Sequence, residues 1–216
     1  MARPVFDPAV YLVTDRGLAR GRELLDVVEA AVAGGAGVVQ LREKLADTRE
    51  FLDLARAIKA RLAPRGVPLL VNDRVDVALA AGADGAHLGQ SDLPYAAARA
   101  ILGPDALIGL SVETPDQARE AEALDVDYLG VSPVFATPTK TDAGPAWGLA
   151  GLADLAAWSR HVLVGIGGIG PANAGEVVRA GARGVAVVSA ICAADSPRDA
   201  ASSLLAAVRG ARTRYS

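Results

Sequence analysis

The chain has 216 residues, 51% of them hydrophobic and 22% charged, with a formal net charge of −3. That is the profile of a folded globular protein, and it excludes wholesale disorder and a basic surface built for nucleic acid. One cysteine, Cys192, excludes an intrachain disulfide and a cysteine-rich zinc centre, and the two histidines, His87 and His161, leave little material for histidine chemistry.

In chain order, the first predicted strand is 10–14, in YLVTD, followed by an amphipathic helix over 22–33. A strand at 38–41 leads to a helix over 48–63, and a strand at 69–71 to a short helix near 74–81. A strand at 85–88 precedes a helix near 94–102, opened by Pro94. After the strand at 107–111, Thr114 is a candidate N-cap for a helix over 114–124, with Pro115 in its first position and Gln117 completing a capping box. The strand at 128–131 runs into a long loop, 132–147. Strands at 162–166 and 184–188 follow, with a last helix opened by Ser196 and Pro197.

The turn from helix to strand recurs as AGGAGVVQL (33–41), AAGADGAHLG (80–89) and RAGARGVAVV (179–188). Glycine ends a helix cheaply, and the apolar run that follows is a buried parallel strand. Eight such units predict one α/β domain over 1–216, a (β/α)8 TIM barrel with its core between about 10 and 209. An open doubly wound sheet has the same alternation and is the competing architecture. No apolar run is long enough for a signal peptide or a membrane helix, so the expected setting is the cytoplasm, with no membrane partner.

Parallel α/β folds gather their chemistry at the C-terminal ends of the strands. Those ends read Gln40-Leu41-Arg42-Glu43-Lys44, Asn72-Asp73, Gly89-Gln90-Ser91-Asp92, Ser111 with Glu113, the loop from Ser132, the glycines of GIGGIG (165–170), and Val188-Ser189. Asp73 and Asp92 suit a hard cation such as Mg2+. Arg42, Lys44 and Lys140 are cations that would face a polyphosphate. Only three of the 22 basic residues are lysines, and two stand at these ends. The glycine run with the end of the last strand matches the phosphate site that barrels build there. A diphosphate place with metal beside a monophosphate place suggests two phosphorylated substrates.

Each piece has a plainer reading. The Arg42–Lys44 run can be a solvated charge run, and Asp73 and Asp92 can cap the next helices. Gly165-x-Gly167-x-x-Gly170 imitates a dinucleotide fingerprint but stands on the seventh strand, not in a first βαβ unit. His87 is expected to be a satisfied core histidine, His161 to be exposed, and Cys192 to be a packing residue.

Taken together, YLVTD (11–15), QLREK (40–44), VNDRVDVALAAGADGAHLGQSDLP (71–94), GLS (109–111), TPTKTDAGPAWGL (137–149), GIGGI (165–169) and VAVVSAI (185–191) resemble the thiamine phosphate synthase family, in the family's order. The resemblance implies the barrel. It also implies Mg2+-dependent transfer of an aminomethylpyrimidine from its diphosphate to the nitrogen of a thiazole phosphate. Carried over, Gln40, Arg42, Lys44, Asn72, Ser111 and Lys140 would bind the pyrimidine diphosphate, with Lys140, Ser111, Arg42 and Lys44 acting in catalysis. Asp73 and Asp92 would hold Mg2+, and Thr137, Thr139, Gly168, Val188 and Ser189 the thiazole phosphate. Two positions depart from the family: Glu113, where it often has histidine, and Ser132, where it often has glycine. The rival functions are a thiazole tautomerase and a non-catalytic sensor of a thiamine precursor on the same barrel. A homo-oligomer is left open.

Overall fold

The structure, a computed structural model, describes residues 3–137 and 145–213. Its strands are β1 (Val10–Val13), β2 (Val38–Leu41), β3 (Leu69–Asn72), β4 (Gly85–Leu88), β5 (Leu107–Val112), β6 (Tyr128–Val131), β7 (Leu163–Ile166) and β8 (Gly184–Val187). All pair in parallel in sequence order, and β8 pairs back to β1 with Tyr11 opposite Ala186. That closure decides between the barrel and the open sheet.

The helices are α1 (Leu24–Ala33), α2 (Thr48–Leu62), α3 (Val75–Ala81), α4 (Tyr95–Leu102), α5 (Pro115–Ala121), α6 (Gly148–Ala156), α7 (Ala174–Arg179), α8 (Ser189–Cys192) and α9 (Pro197–Arg212). Helix α2 shows why they form. Asp47 accepts the Glu50 N–H at its start, and Phe51, Ala55, Ile58 and Leu62 recur at helical spacing and are buried. Thr114 and Ser196 cap α5 and α9 as expected. Gln117 departs from the predicted capping box: its Oε1 accepts the N–H of Glu113, one residue before the cap, at 2.7 Å. The eighth unit holds two helices where one was expected, because the chain turns straight from β8 into the single turn α8.

Two aspartates lock neighbouring strands by the same device. Asp84 accepts the Leu69 N–H at 2.7 Å and meets Lys59 Nζ at 2.6 Å. Asp127 accepts the Ile108 N–H at 2.7 Å and lies 3.4 Å from Arg99. The third lysine of the chain therefore serves the scaffold.

Inside the barrel, Tyr11, Val13, Val38, Leu70, Leu107, Tyr128, Val164 and Ala186 form a core separate from the one between strands and helices. The N-terminal segment closes the base. Phe6 stacks on Tyr128 with ring centroids 4.8 Å apart. Arg3 pins the segment there, donating to Pro104 O, Asp127 Oδ1 and Asp125 Oδ2 at 3.0–3.1 Å.

Candidate active site

Strand alternation sends every second side chain inward. Two residues beyond the interior positions Val38, Leu70 and Ala186 stand Gln40, Asn72 and Val188, and Ser111 stands two beyond Gly109. On β2, β3 and β5 the top position is therefore polar, while Val188 keeps the end of β8 apolar. Gln40 is 4% exposed and belongs to that interior, while Lys44 is exposed at the rim and Arg42 lies between.

Thr14, fully buried, accepts the Arg42 N–H at 3.0 Å, and Asp15 Oδ2 lies 3.6 Å from Arg42 Nη1. These two residues of YLVTD thus hold the arginine, a role that reading strand ends alone does not assign to them. Gln90 Nε2 donates to Ser111 O at 2.6 Å and ties the β4 loop to the end of β5.

Neither aspartate caps a helix. No side chain caps α3 or α4, and Asp92 Oδ2 instead accepts the N–H of Gly89 in its own loop at 2.6 Å. Asp73 sits in the left-handed region at φ 61°, which aspartate and asparagine tolerate better than other side chains. Its carboxyl is pushed up from 3.8 to about 7. Burial is the largest cause, then the hydrogen bond and the charge of Asp92, while Lys44 and Arg42 pull it down. Two carboxylates sharing one place, with cations behind them, fit a divalent ion. No group of three acidic, histidine or cysteine side chains that could hold a metal occurs among the described residues. A two-carboxylate set suits a hard ion that completes its shell with water and phosphate oxygen.

The raised Asp73 pKa has a thermodynamic sign. The folded chain holds this proton more tightly than the unfolded chain. The resulting stabilisation is full below about pH 4 and is lost as the pH climbs through about 7. Asp73→Asn is therefore expected to raise the melting temperature of metal-free protein by a few degrees at pH 8, on the order of 1–2 kcal/mol after solvent screening, and to change it little at pH 4. Thermal unfolding in EDTA at both pH values checks this. A melting temperature at pH 8 that stays put or falls would show that the folded chain does not disfavour a charged Asp73.

On the far side of the mouth, the β6 and β7 loops are zipped together. Val134 N–H donates to Ile166 O at 2.8 Å and Phe135 N–H to Gly167 O at 3.1 Å. A side chain at Gly168 would come within 2.8 Å of Phe135 Cβ, and Gly168 has φ 63°, so glycine is required on two counts. Asn173 steadies the loop by accepting the Gly170 N–H and donating to Gly168 O. Val188 precedes α8, and Ser189, its first residue, is exposed. Thr137 is half-buried at the end of the described part of the β6 loop. Thr139 and Lys140 lie outside the described residues.

The structure corrects the expectation for His161. Its side chain is 5% exposed, and Nε2 pairs with Ala121 O at 3.1 Å. Burial pushes the Cys192 thiol up to about 11, and it lies against Val13 O, so it is neutral and packed. His87 is indeed satisfied within the barrel, but its partners are Tyr128 and Ser111, which joins it to the mouth. Tyr11 and Tyr128 went unassigned in the sequence. Their signal is Gly109, whose missing side chain leaves room for the Tyr128 ring, and Gly130, which does the same for His87.

A family model described as thiamine monophosphate synthase matches residues 10–191. The chain belongs to that family. The thiamine monophosphate synthase match runs from β1 through α8 and so takes in every strand and loop end described above. The chain is 61% identical over 189 residues to the thiamine-phosphate synthase of Albidiferax ferrireducens, covering 87% of this chain and 86% of that one. It is 56% identical over 212 residues to that of Xanthobacter autotrophicus, covering 98% and 100%. A solved thiamine phosphate pyrophosphorylase from Pyrococcus furiosus superposes with a TM-score of 0.86 at 38% identity, over 93% of this chain and 95% of that one. Within the thiamine monophosphate synthase framework, Ser132 is 8% exposed and its N–H donates to Val112 O at 3.1 Å. Glu113 is half-buried at the rim.

Proposed function

We propose that this protein catalyses the synthesis of thiamine phosphate, with Mg2+ as its metal. It transfers 4-amino-2-methyl-5-pyrimidinylmethyl from its diphosphate to the ring nitrogen of 4-methyl-5-(2-phosphoethyl)thiazole. The observation that carries the reading is the Asp73–Asp92 pair facing Lys44 and Arg42 at one barrel mouth. That is a diphosphate-and-metal constellation, and neither a tautomerase nor a sensor of thiazole phosphate needs it.

Gln40 and Asn72 orient the pyrimidine, and Ser111, Arg42, Lys44 and Lys140 meet its diphosphate. Gly168, Val188, Ser189, Thr137 and Thr139 hold the thiazole phosphate, so one barrel domain holds both reactants close together. Asp73 and Asp92 would hold Mg2+, which when bound offsets charge growing on the leaving diphosphate. The carbon–oxygen bond breaks with its electron pair going to diphosphate. The new carbon–nitrogen bond uses the thiazole nitrogen's lone pair. No proton has to be removed, which suits a site whose only thiol is buried and neutral. The proposed setting is the cytoplasm, and among the described residues no helix is long and apolar enough to cross a membrane.

The test mixes purified protein with both substrates and Mg2+ and follows thiamine phosphate, with EDTA as control. Metal-dependent product is expected. Thiazole phosphate binding without product would overturn the reading in favour of a tautomerase or a sensor. Lys140→Ala is expected to lower kcat by about 100-fold while the KM for thiazole phosphate stays within about twofold. A larger effect on that KM than on kcat would take Lys140 away from the leaving group.

A further inference from the structure

Gln40 and Ser111 enter the barrel mouth from β2 and β5, and the structure joins them by a chain of hydrogen bonds through the barrel interior. Gln40 Nε2 donates to the Tyr11 hydroxyl at 2.8 Å. The Tyr11 and Tyr128 hydroxyls are 2.8 Å apart. The Tyr128 hydroxyl is 2.7 Å from His87 Nδ1, and His87 Nε2 is 2.8 Å from Ser111 Oγ. Both tyrosines are about 1% exposed. Burial pushes both phenols well above their ordinary range, so they are neutral hydroxyls that carry one proton each.

Counting donors along this chain gives it a direction. An amide nitrogen only donates, so the Tyr11 oxygen accepts from Gln40 and its own proton goes on to Tyr128. Tyr128 in turn donates to His87 Nδ1. That leaves His87 with its proton on Nε2, donated to Ser111 Oγ. Ser111 has then accepted its internal bond and turns its own proton outward. The reverse order would set the Tyr11 proton against the amide hydrogens of Gln40, an unpaired donor in a dry interior, so it is disfavoured.

We propose that Tyr11 and Tyr128 are positioning residues that hold His87 in its Nε2–H tautomer and thereby commit Ser111 to donating a hydrogen bond into the site. A committed donor suits an acceptor that gains negative charge, which under the function proposed above is an oxygen of the departing diphosphate. That last clause rests on the proposed function; the tautomer does not. Neither tyrosine touches substrate in this reading. Each acts through the proton order of the groups above it.

The tautomer is directly readable because the chain has two histidines. Long-range proton–nitrogen NMR spectra of nitrogen-15-labelled protein at pH 7.5, with His161→Gln to assign the signals, report where His87 carries its proton. The expected wild-type result is Nε2–H. Tyr128→Phe and Tyr11→Phe each remove one hydroxyl and keep the ring. Both are expected to move His87 to an average of the two tautomers. Both are also expected to lower kcat/KM for the pyrimidine diphosphate by about 10- to 100-fold, with the KM for thiazole phosphate within about twofold of wild type. Melting temperatures confirm that both variants fold, and having two variants keeps the test alive if one does not.

Wild-type His87 found as Nδ1–H or as imidazolium overturns the proposal. So does a folded tyrosine variant in which either the tautomer or the kinetics match wild type. Wild-type protein that makes no thiamine phosphate would remove the proposed function instead, and the spectra would still decide the relay.

Discussion

Asp73→Asn is expected to cut kcat by at least about 100-fold at saturating substrates and to raise the Mg2+ concentration needed for half-maximal rate. The substitution isolates charge from shape. Asparagine accepts the left-handed backbone at this position, φ 61°, as readily as aspartate does, so the turn from Asn72 into α3 persists. The N–H at this position still donates to His87 O, at 2.9 Å in the parent. What is lost is one of two anionic oxygen donors facing Lys44 and Arg42. Steady-state kinetics across a Mg2+ titration give the answer, and a variant with wild-type kcat and metal dependence would remove Asp73 from the proposed metal site. Set beside its expected gain in metal-free stability at pH 8, the variant should exchange activity for stability.

Gly109→Ala is expected to be strongly destabilising for a single added methyl. A Cβ at this position would lie 2.0 Å from Tyr128 Cζ and 2.3 Å from its hydroxyl oxygen. The ring cannot retreat. Phe6 stacks on it with centroids 4.8 Å apart, His87 lies parallel at 5.5 Å, and Tyr11 meets it edge-on at 5.7 Å. Overpacking against such a wall costs roughly 2–4 kcal/mol, or about 5–15 °C in Tm for a chain of this size. Gly210→Ala is the control. Nothing lies within 4 Å of a Cβ there, and the residue is inside helix α9, so alanine is expected to be neutral or slightly stabilising. Urea or thermal unfolding of the pair checks both. A Gly109→Ala protein as stable as its parent would mean that the interior repacks freely around Tyr128.

The strands were legible because their signals are local. A glycine turn followed by a β-branched run marks each one, and the observed boundaries depart from the expected ones by a single residue at most. Helix α5 stops at Ala121, short of the expected 124, because its pattern runs on into a turn. The closure of the barrel was less legible: the pairing of Tyr11 with Ala186 joins the two ends of the chain, and the open sheet shares the same alternation. The candidate site followed from the strand ends, since in a closed barrel those ends converge whatever their spacing in sequence. Tyr11 and Tyr128 were harder to see. Each reads as one more apolar strand residue, and their meaning depends on facing each other across the barrel. His161 misled because the residue before a strand is normally wet, whereas here a carbonyl of α5, Ala121 O, receives it.

Phe6 and the Arg3 clamp make the base of the barrel a seal as well as a support. The polar chain from Gln40 to Ser111 keeps one proton order only while water, which donates and accepts indifferently, stays out. A tag or truncation that lifts the first few residues would leave every catalytic side chain in place and still let in solvent from below. The N-terminal arm, at the opposite end of the barrel from the candidate site, is thus the stopper on which a dry, one-way line of protons depends.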